Sequence, residues 1–197
     1  MIMKKMMKYA LVALMAVAML FSFASCSDDD DDDDDKVAVS ELTDSQIVDL
    51  VADGLVAAIT TNYSASSETA ATSDYSSWTL DTTGVTITTT SAYSGSFDEE
   101  NCGSYTVAIG TGSTVTVTYV FDDNYSVTGY KVEVSVDATI DGVDEDLALT
   151  YDMSGETSNS LTINNNAADI TDTELSSLIT TLITGVTTAM SSSSSQA

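Results

Sequence analysis

The chemistry open to this chain is limited by two residue types that it lacks. Its 197 residues include no histidine, and its five basic residues are all lysines. Without an imidazole there is no Ser–His or Cys–His nucleophile and no histidine metal site. Without a guanidinium there is no bidentate clamp for phosphate or for an oxyanion. Paired carboxylates, as in a glycosidase, are the remaining device. No cleft that would hold such a pair is indicated, so we predict that the chain is not an enzyme.

A group of five possible metal-ligand residues lies around the pair Asp141-Gly142. Asp-Gly favours a two-residue type I′ turn, and the resulting register sets Asp137 opposite Asp146. The stretch "DATIDG" begins like a calcium loop, whereas Ala148 stands where that loop has a bidentate glutamate. Two interpretations stay open, a weak calcium site or an acidic surface in water. The calcium ligands would be Asp137, Asp141, Asp144 and Asp146, and no other cofactor is predicted.

Two further residue sets have structural explanations that we favour. Rows of T-x-T at residues 86–90 and 114–118 resemble those of ice-binding β-solenoids, but the chain has no fixed repeat. Threonine is common on the solvent face of any strand. Trp78, Tyr93 and Tyr125 could stack on sugar rings, although aromatic residues of a small sheet protein usually lie in the core.

Cys102 lies in "DEENCGSY", beside acidic residues that disfavour a thiolate. Only one other cysteine, Cys26, is present. We predict that Cys102 is an unreactive residue in or beside a turn.

The N-terminal segment has the three parts of an export signal. Three lysines among the first eight residues precede the apolar stretch "YALVALMAVAMLFSF", and small residues follow it. This stretch is shorter than the roughly 20 apolar residues of a membrane-spanning helix. A signal peptide over residues 1–25 is therefore favoured over a permanent membrane anchor.

Cys26 changes this prediction from secretion to lipidation. "FASC" resembles the lipobox of bacterial lipoproteins, although Phe23 stands where leucine is typical. "CSDDDD" resembles the export signal of surface lipoproteins of the Bacteroidota, and this signal comprises Ser27, Asp28, Asp29, Asp30 and Asp31. The resemblance covers residues 1–36. It implies an acylated Cys26, hence a durable anchor in the outer membrane, with the domain facing the cell exterior. The alternative is a domain that faces the periplasm.

The eight aspartates after Ser27 repel one another, so residues 26–40 are predicted to form an extended, disordered tether. Fourteen residues of it span at most roughly 45 Å. Residues 32–36, "DDDDK", also match an enteropeptidase site of the kind used in affinity tags. The lipobox-like segment that precedes them argues against a tag.

Charge restricts the partners of the mature chain. After Cys26 it keeps two lysines and all 31 acidic residues, a net charge of −29. Such a surface repels nucleic acid and anionic lipid headgroups. We expect no nucleic-acid partner, and contact with the membrane through the N-terminal lipid only. A protein or glycan partner stays open.

Helix and strand patterns predict one folded domain over residues 41–190, followed by a Ser-rich tail at 191–197. Apolar residues at helical spacing follow Thr43 and Thr171, and Gln46 and Glu174 complete capping boxes there. Between these helices lie about seven β-period segments. The turn at Asp141-Gly142 pairs Val136 with Leu147 and Lys131 with Asp152.

These patterns predict an α+β fold. An antiparallel meander of about seven strands would pack on, or curve around, the N-terminal and C-terminal amphipathic helices. The function that we predict is a non-catalytic, lipid-anchored cell-surface protein that displays this domain for adhesion, coating or ligand contact. The alternative is a glycan- or calcium-binding accessory module of an outer-membrane nutrient-uptake system.

Overall fold

The computed structural model describes residues 36–67, 69–122, 127–153 and 158–193. The predicted signal peptide, Cys26, the acidic signal from Ser27 to Asp31 and the last four residues of the predicted tail lie outside this part. Within it the chain forms a 3-10 turn at Val39–Glu41, helices α1 (Asp44–Thr60) and α2 (Asp172–Ser193), and thirteen strands. The strands are β1 (Ser64–Ala65), β2 (Ala70–Thr72), β3 (Ser76–Leu80), β4 (Gly84–Thr89), β5 (Tyr93–Glu99), β6 (Gly103–Ile109), β7 (Thr114–Phe121), β8 (Val127–Val136), β9 (Ala138–Ile140), β10 (Val143–Asp144), β11 (Leu147–Asp152), β12 (Ser160–Ile163) and β13 (Asn166–Ala167).

The predicted α+β fold with about seven strands is wrong. The described residues form a mostly β structure, with thirteen strands in two antiparallel sheets and only two α-helices. The larger sheet has the order β1-β2-β3-β4-β7-β8-β11-β12-β13, and the smaller has the order β10-β9-β6-β5. Sequence patterns missed three short strands near the two ends of the larger sheet, β1, β2 and β13. They also missed β5, whose sequence "YSGSFDE" is mostly polar.

Bends in the strands explain the rest of the difference. The chain crosses between the two sheets at β4–β5, β6–β7, β8–β9 and β10–β11, and the two halves of each pair occupy matching places in the two sheet orders. Two of the predicted strands, 125–140 and 143–153, are such bent pairs. A period-two pattern continues through a bend of this kind, so the sequence does not reveal it.

Short hydrogen bonds join the strands where they bend. The Thr89 hydroxyl donates to the Gly110 carbonyl at 2.7 Å and accepts from the Ser113 N–H at 2.9 Å. The Gly110 N–H donates to the Asp137 carbonyl at 2.7 Å. The Asp137 N–H donates to the Ser113 hydroxyl at 3.1 Å. Backbone N–H and C=O groups that are not paired within either sheet are therefore hydrogen-bonded to other groups in the bend.

The predicted hairpin register is confirmed. Val136 pairs with Leu147, Lys131 pairs with Asp152, and Ile140 pairs with Val143. Asp141 and Gly142 both have positive φ angles, +48° and +81°, as a type I′ turn requires. Apolar residues on one face therefore fixed the pairing, although the hairpin spans both sheets.

Both predicted capping boxes are also confirmed. The Gln46 N–H donates to the Thr43 hydroxyl at 3.3 Å, and the Thr43 N–H donates to the Gln46 side chain at 2.9 Å. Thr171 and Glu174 repeat the arrangement at α2. Each box satisfies backbone N–H groups that have no partner inside the helix.

Helix α1 lies inside the bend and contacts strands of both sheets, β3 and β4 of the larger and β5, β6 and β9 of the smaller. Gly54 allows this approach, because a Cβ atom there would lie 2.7 Å from Val107. Helix α2 packs mainly on α1, where a Cβ atom at Gly185 would lie 2.5 Å from Val56. One apolar core joins α1, α2 and the inner faces of the strands.

Candidate functional site

The acidic hairpin does not gather its carboxylates around one point. Asp141, at the tip of the turn, forms an ion pair with Lys36 and accepts a hydrogen bond from the Thr106 N–H at 2.9 Å. The hydrogen bond from Lys36, followed by the one from Thr106, holds the pKa of Asp141 below its usual range. A lysine side chain thus neutralises the acid that was predicted as a calcium ligand.

Asn164 organises the other acidic residues of this hairpin. Its amide donates to the Asp144 carbonyl at 2.9 Å and to the Glu145 carboxylate at 3.1 Å. Its side-chain oxygen accepts from the Asp146 N–H at 2.9 Å. Glu145 is buried, which raises its pKa, and the bond from Asn164 partly offsets that shift.

The remaining carboxylates of the hairpin point to other groups. Asp146 accepts from the Ala138 N–H at 3.3 Å. The Asp137 side chain lies beside Gly110, where an added Cβ atom would approach within 2.6 Å. Across the part of the chain that the structure describes, no three Cys, Asp or Glu side chains are grouped so that they could hold a metal ion. Calcium binding at Asp137, Asp141, Asp144 and Asp146 stays a prediction.

A second acidic group, which the sequence analysis missed, lies where α1 meets β5 and the start of α2. Asp49 and Asp53 are one turn apart on α1, and both interact electrostatically with Glu99 of β5. Partial desolvation first, and then the charges of Asp53 and Glu174, raise the pKa of Asp49 to about 6. The i, i+4 spacing of the two aspartates was visible in the sequence. The positions of Glu99 and Glu174 near Asp49 depend on tertiary packing, which the sequence pattern does not show.

The end of the predicted tether packs on the domain. The Val37 N–H donates to the Cys102 carbonyl at 3.0 Å, and the Tyr105 hydroxyl donates to the Val37 carbonyl at 2.8 Å. The Lys36 ammonium lies 4.4 Å from the centre of the Tyr105 ring. Val39 is buried. The chain is therefore attached to the domain from Lys36 onward.

The outer face of the larger sheet is covered by hydroxyl groups. Two rows run across six strands: Ser77, Thr88, Thr114, Ser135, Ala148 and Thr162, and beside them Thr79, Thr86, Thr116, Glu133, Thr150 and Ser160. Glu133 is the one charged member of these rows, and it pairs with Lys131 at 2.9 Å. Thr90 lies outside β4 and does not join them.

A shallow depression of about 270 Å³ lies on this face. Residues of β7, β8, β11 and β12 line it, among them Thr116, Glu133 and Thr150. The depression offers hydroxyl groups and one carboxylate to a ligand. Such groups can hydrogen-bond to a neutral polar molecule.

The aromatic candidates divide between core and surface. Trp78 is buried, donates to the Ser76 hydroxyl at 3.1 Å and packs against Tyr63 with ring centres 4.6 Å apart. The preferred prediction of a core residue is confirmed for Trp78. Tyr93 is half-buried between Tyr75 and Phe97. Tyr125 lies outside the described residues.

Cys102 is a buried thiol in the turn between β5 and β6, where the prediction placed it. Its sulfur accepts a hydrogen bond from the Gln46 side chain at 3.0 Å. The thiol thereby contributes to the packing of α1 against this turn.

Neither α-helix of the described segments is both long and apolar enough to cross a membrane. Comparisons of the chain with protein-family models, with curated proteins and with solved structures found no match. The functional argument therefore depends on the residues of this chain alone.

Proposed function

We propose that the chain is a lipid-anchored protein of the outer membrane that displays its β-rich domain on the cell surface for adhesion, coating or ligand contact. The observation that carries this proposal is the order of its N-terminal features. The predicted export signal precedes Cys26, a run of eight aspartates begins two positions after this cysteine, and the chain packs on the domain from Lys36 onward.

The spacing between these features supports a display role. Nine residues lie between Cys26 and Lys36, and the two positions are at most roughly 35 Å apart when this segment is extended. The negative charge of this segment repels both anionic lipid and the acidic domain. The domain would thus stand away from the bilayer, with acyl chains as its contact with the membrane.

The anchor is tested by metabolic labelling with an alkyne-bearing palmitate analogue. We expect labelling of the wild-type chain and complete loss of the label in Cys26→Ala. Cys102→Ala is the matched control, because it removes the one other thiol of the chain. Labelling that persists in Cys26→Ala, or that is absent from the wild type, would contradict the proposal.

The outer face of the larger sheet favours a second candidate function, contact with a neutral glycan. In a chain with a mature net charge of −29, its two hydroxyl rows contain a single carboxylate, which is paired with Lys131. A neutral polysaccharide that covers these rows removes few charged groups from water and finds donors and acceptors for its hydroxyl groups.

Binding of soluble dextran and xylan fragments tests this candidate by calorimetry. Thr116→Val and Thr150→Val together remove two hydroxyl groups from the depression and keep the side-chain shape. We expect at least a tenfold loss of affinity in the double variant. Thr79→Val, on the same face but outside the depression, should bind like the wild type. Equal affinity of all three proteins would exclude this face as the site.

A further inference from the structure

The mature chain offers trypsin-class proteases very few cleavage sites. Such enzymes cut after lysine or arginine, and after Cys26 the chain contains only Lys36 and Lys131. Lys131 lies within β8, which is hydrogen-bonded to β7 on one side and to β11 on the other. A protease therefore cannot reach the peptide bond after Lys131 as long as the sheet is intact.

Lys36 is the one basic residue between the predicted anchor and the folded domain. A cut after it would separate the two, and the four residues before it are aspartates. On sequence alone this bond is the most vulnerable point of the mature chain, because proteolysis concentrates in exposed segments near termini. The structure shows contacts on both sides of this bond.

The side chain of Lys36 is held at two points. Its ammonium pairs with Asp141 at the tip of the β9–β10 turn and lies 4.4 Å from the centre of the Tyr105 ring. A protease that cuts after lysine must take this side chain into its own acidic pocket. Both contacts would have to break first.

The backbone after Lys36 is held as well. The N–H of Val37 belongs to the peptide bond that would be cut, and it donates to the Cys102 carbonyl at 3.0 Å. The Val37 carbonyl accepts from the Tyr105 hydroxyl at 2.8 Å, and the 3-10 turn follows two residues later. A protease cleft needs an extended chain, so this segment must detach before it can be cut.

We propose that Lys36, Asp141 and Tyr105 form a latch that closes the Lys36–Val37 bond to trypsin-class proteases, including those that recognise aspartates before lysine. The latch keeps the domain joined to its tether in surroundings that contain such enzymes. The proposal is independent of lipidation, because it depends only on contacts within the described residues.

Timed digestion with trypsin, followed by mass spectrometry of the fragments, tests the latch on the purified chain as the cell produces it. A synthetic peptide of residues 29–42 is the reference, since it has seven of the eight aspartates and the same bond without the domain. When opening is fast, the cutting rate follows the population of the open form. We expect the bond in the wild-type chain to be cut at least ten times more slowly than in the peptide.

The variant Asp141→Asn should bring the rate of cutting after Lys36 several-fold closer to that of the peptide. Asparagine also tolerates the positive φ angle at this position, so the turn should survive. Asp144→Asn, which removes an exposed charge from the same hairpin, should digest like the wild type. Cutting after Lys131 reports global unfolding and should remain slow in both variants.

If Asp141→Asn also accelerates cutting after Lys131, the variant has lost its fold. Tyr105→Phe then takes its place, because it keeps the ring and removes only the hydroxyl, which bonds to the Val37 carbonyl at 2.8 Å and to the Cys102 carbonyl at 2.9 Å. Faster cutting after Lys36 alone supports the latch. The latch would be overturned by a wild-type rate equal to that of the peptide. It would also be overturned if Asp141→Asn and Tyr105→Phe were both cut after Lys36 at the wild-type rate.

Discussion

Two acidic regions of this molecule differ in how their charges are balanced. In the β9–β10 hairpin, three of the carboxylates that are crowded in the sequence have separate partners: Lys36 for Asp141, Asn164 for Glu145 and the Ala138 N–H for Asp146. On α1, Asp49 and Asp53 instead interact with other acids, and partial desolvation first, followed by these charges, raises the pKa of Asp49 to about 6. Proximity along the chain therefore did not predict proximity of charge. The bends in the strands separated one group, and helix packing assembled the other.

The largest expected effect in this comparison comes from removing Asn164, which bonds to three successive residues of the hairpin. Asn164→Ala should lower the free energy of unfolding by about 2 kcal/mol more than Asn165→Ala, from the lost hydrogen bonds. Both asparagines have positive φ angles, 50° and 64°, so the control carries the same backbone strain. Urea denaturation measures the difference. Equal costs would show that the side-chain bonds of Asn164 contribute nothing.

Asp146→Ala should have the next largest effect. It removes the acceptor of the Ala138 N–H at the point where the hairpin passes between the sheets. The loss should be about 1 kcal/mol, since a partly buried donor loses its partner. Asp144→Ala, an exposed neighbour, should stay within about 0.5 kcal/mol of the wild type. A larger loss in Asp144→Ala than in Asp146→Ala would reverse our account of this hairpin.

The α1 group should respond in the opposite direction. Asp49→Asn should raise the free energy of unfolding by about 0.5 kcal/mol at pH 7.5, because it removes a partly desolvated charge and its repulsion with Asp53 one helical turn away. Asp98→Asn makes the same charge change at an exposed position of β5 and should have a smaller effect. Thermal melting of both variants measures this, and a destabilised Asp49→Asn would contradict the assignment.

The same region predicts a pH dependence. The pKa of Asp49 is about 6 in the folded chain and about 4 in the unfolded chain, so folding takes up a proton between these values. The ionised carboxylate destabilises the fold above pH 6, and this penalty disappears as the pH falls toward 4. The melting temperature should therefore rise on acidification from pH 7.5 to 5, and the rise should be smaller in Asp49→Asn. An identical rise in melting temperature in the wild type and in Asp49→Asn would show that groups other than Asp49 cause it.

Calcium should have the smallest effect. Because Asp141 is already paired with Lys36, we expect that about 1 mM Ca²⁺ raises the melting temperature no more than the same concentration of Mg²⁺. A calcium-specific rise that Asp146→Asn abolishes would support the calcium interpretation of the hairpin and contradict our comparison.

Features that depend on neighbouring residues were predictable from the sequence. The two capping boxes and the pairing of Val136 with Leu147 follow from spacing alone, and the structure has both. The type I′ turn followed from Asp141-Gly142, since both residues tolerate positive φ angles.

Features that depend on the path of the chain in space were not predictable. The bend at Asp137 leaves the alternation of apolar residues unchanged, so one predicted strand became β8 and β9. The docking of Lys36 on Tyr105 and Asp141 joins positions that are more than 60 residues apart. Residues 36–40 were assigned to the tether because composition cannot show such contacts.

The most direct test of the surface-display proposal is digestion of intact cells with proteinase K, followed by immunoblotting. Trypsin is unsuitable, because only Lys36 and Lys131 remain after Cys26. We predict that the wild-type band disappears while a periplasmic control protein survives. Replacing residues 28–31 by asparagine should protect the band, whereas the same change at residues 32–35 should not. Survival of the wild-type band would contradict surface display and place the domain in the periplasm.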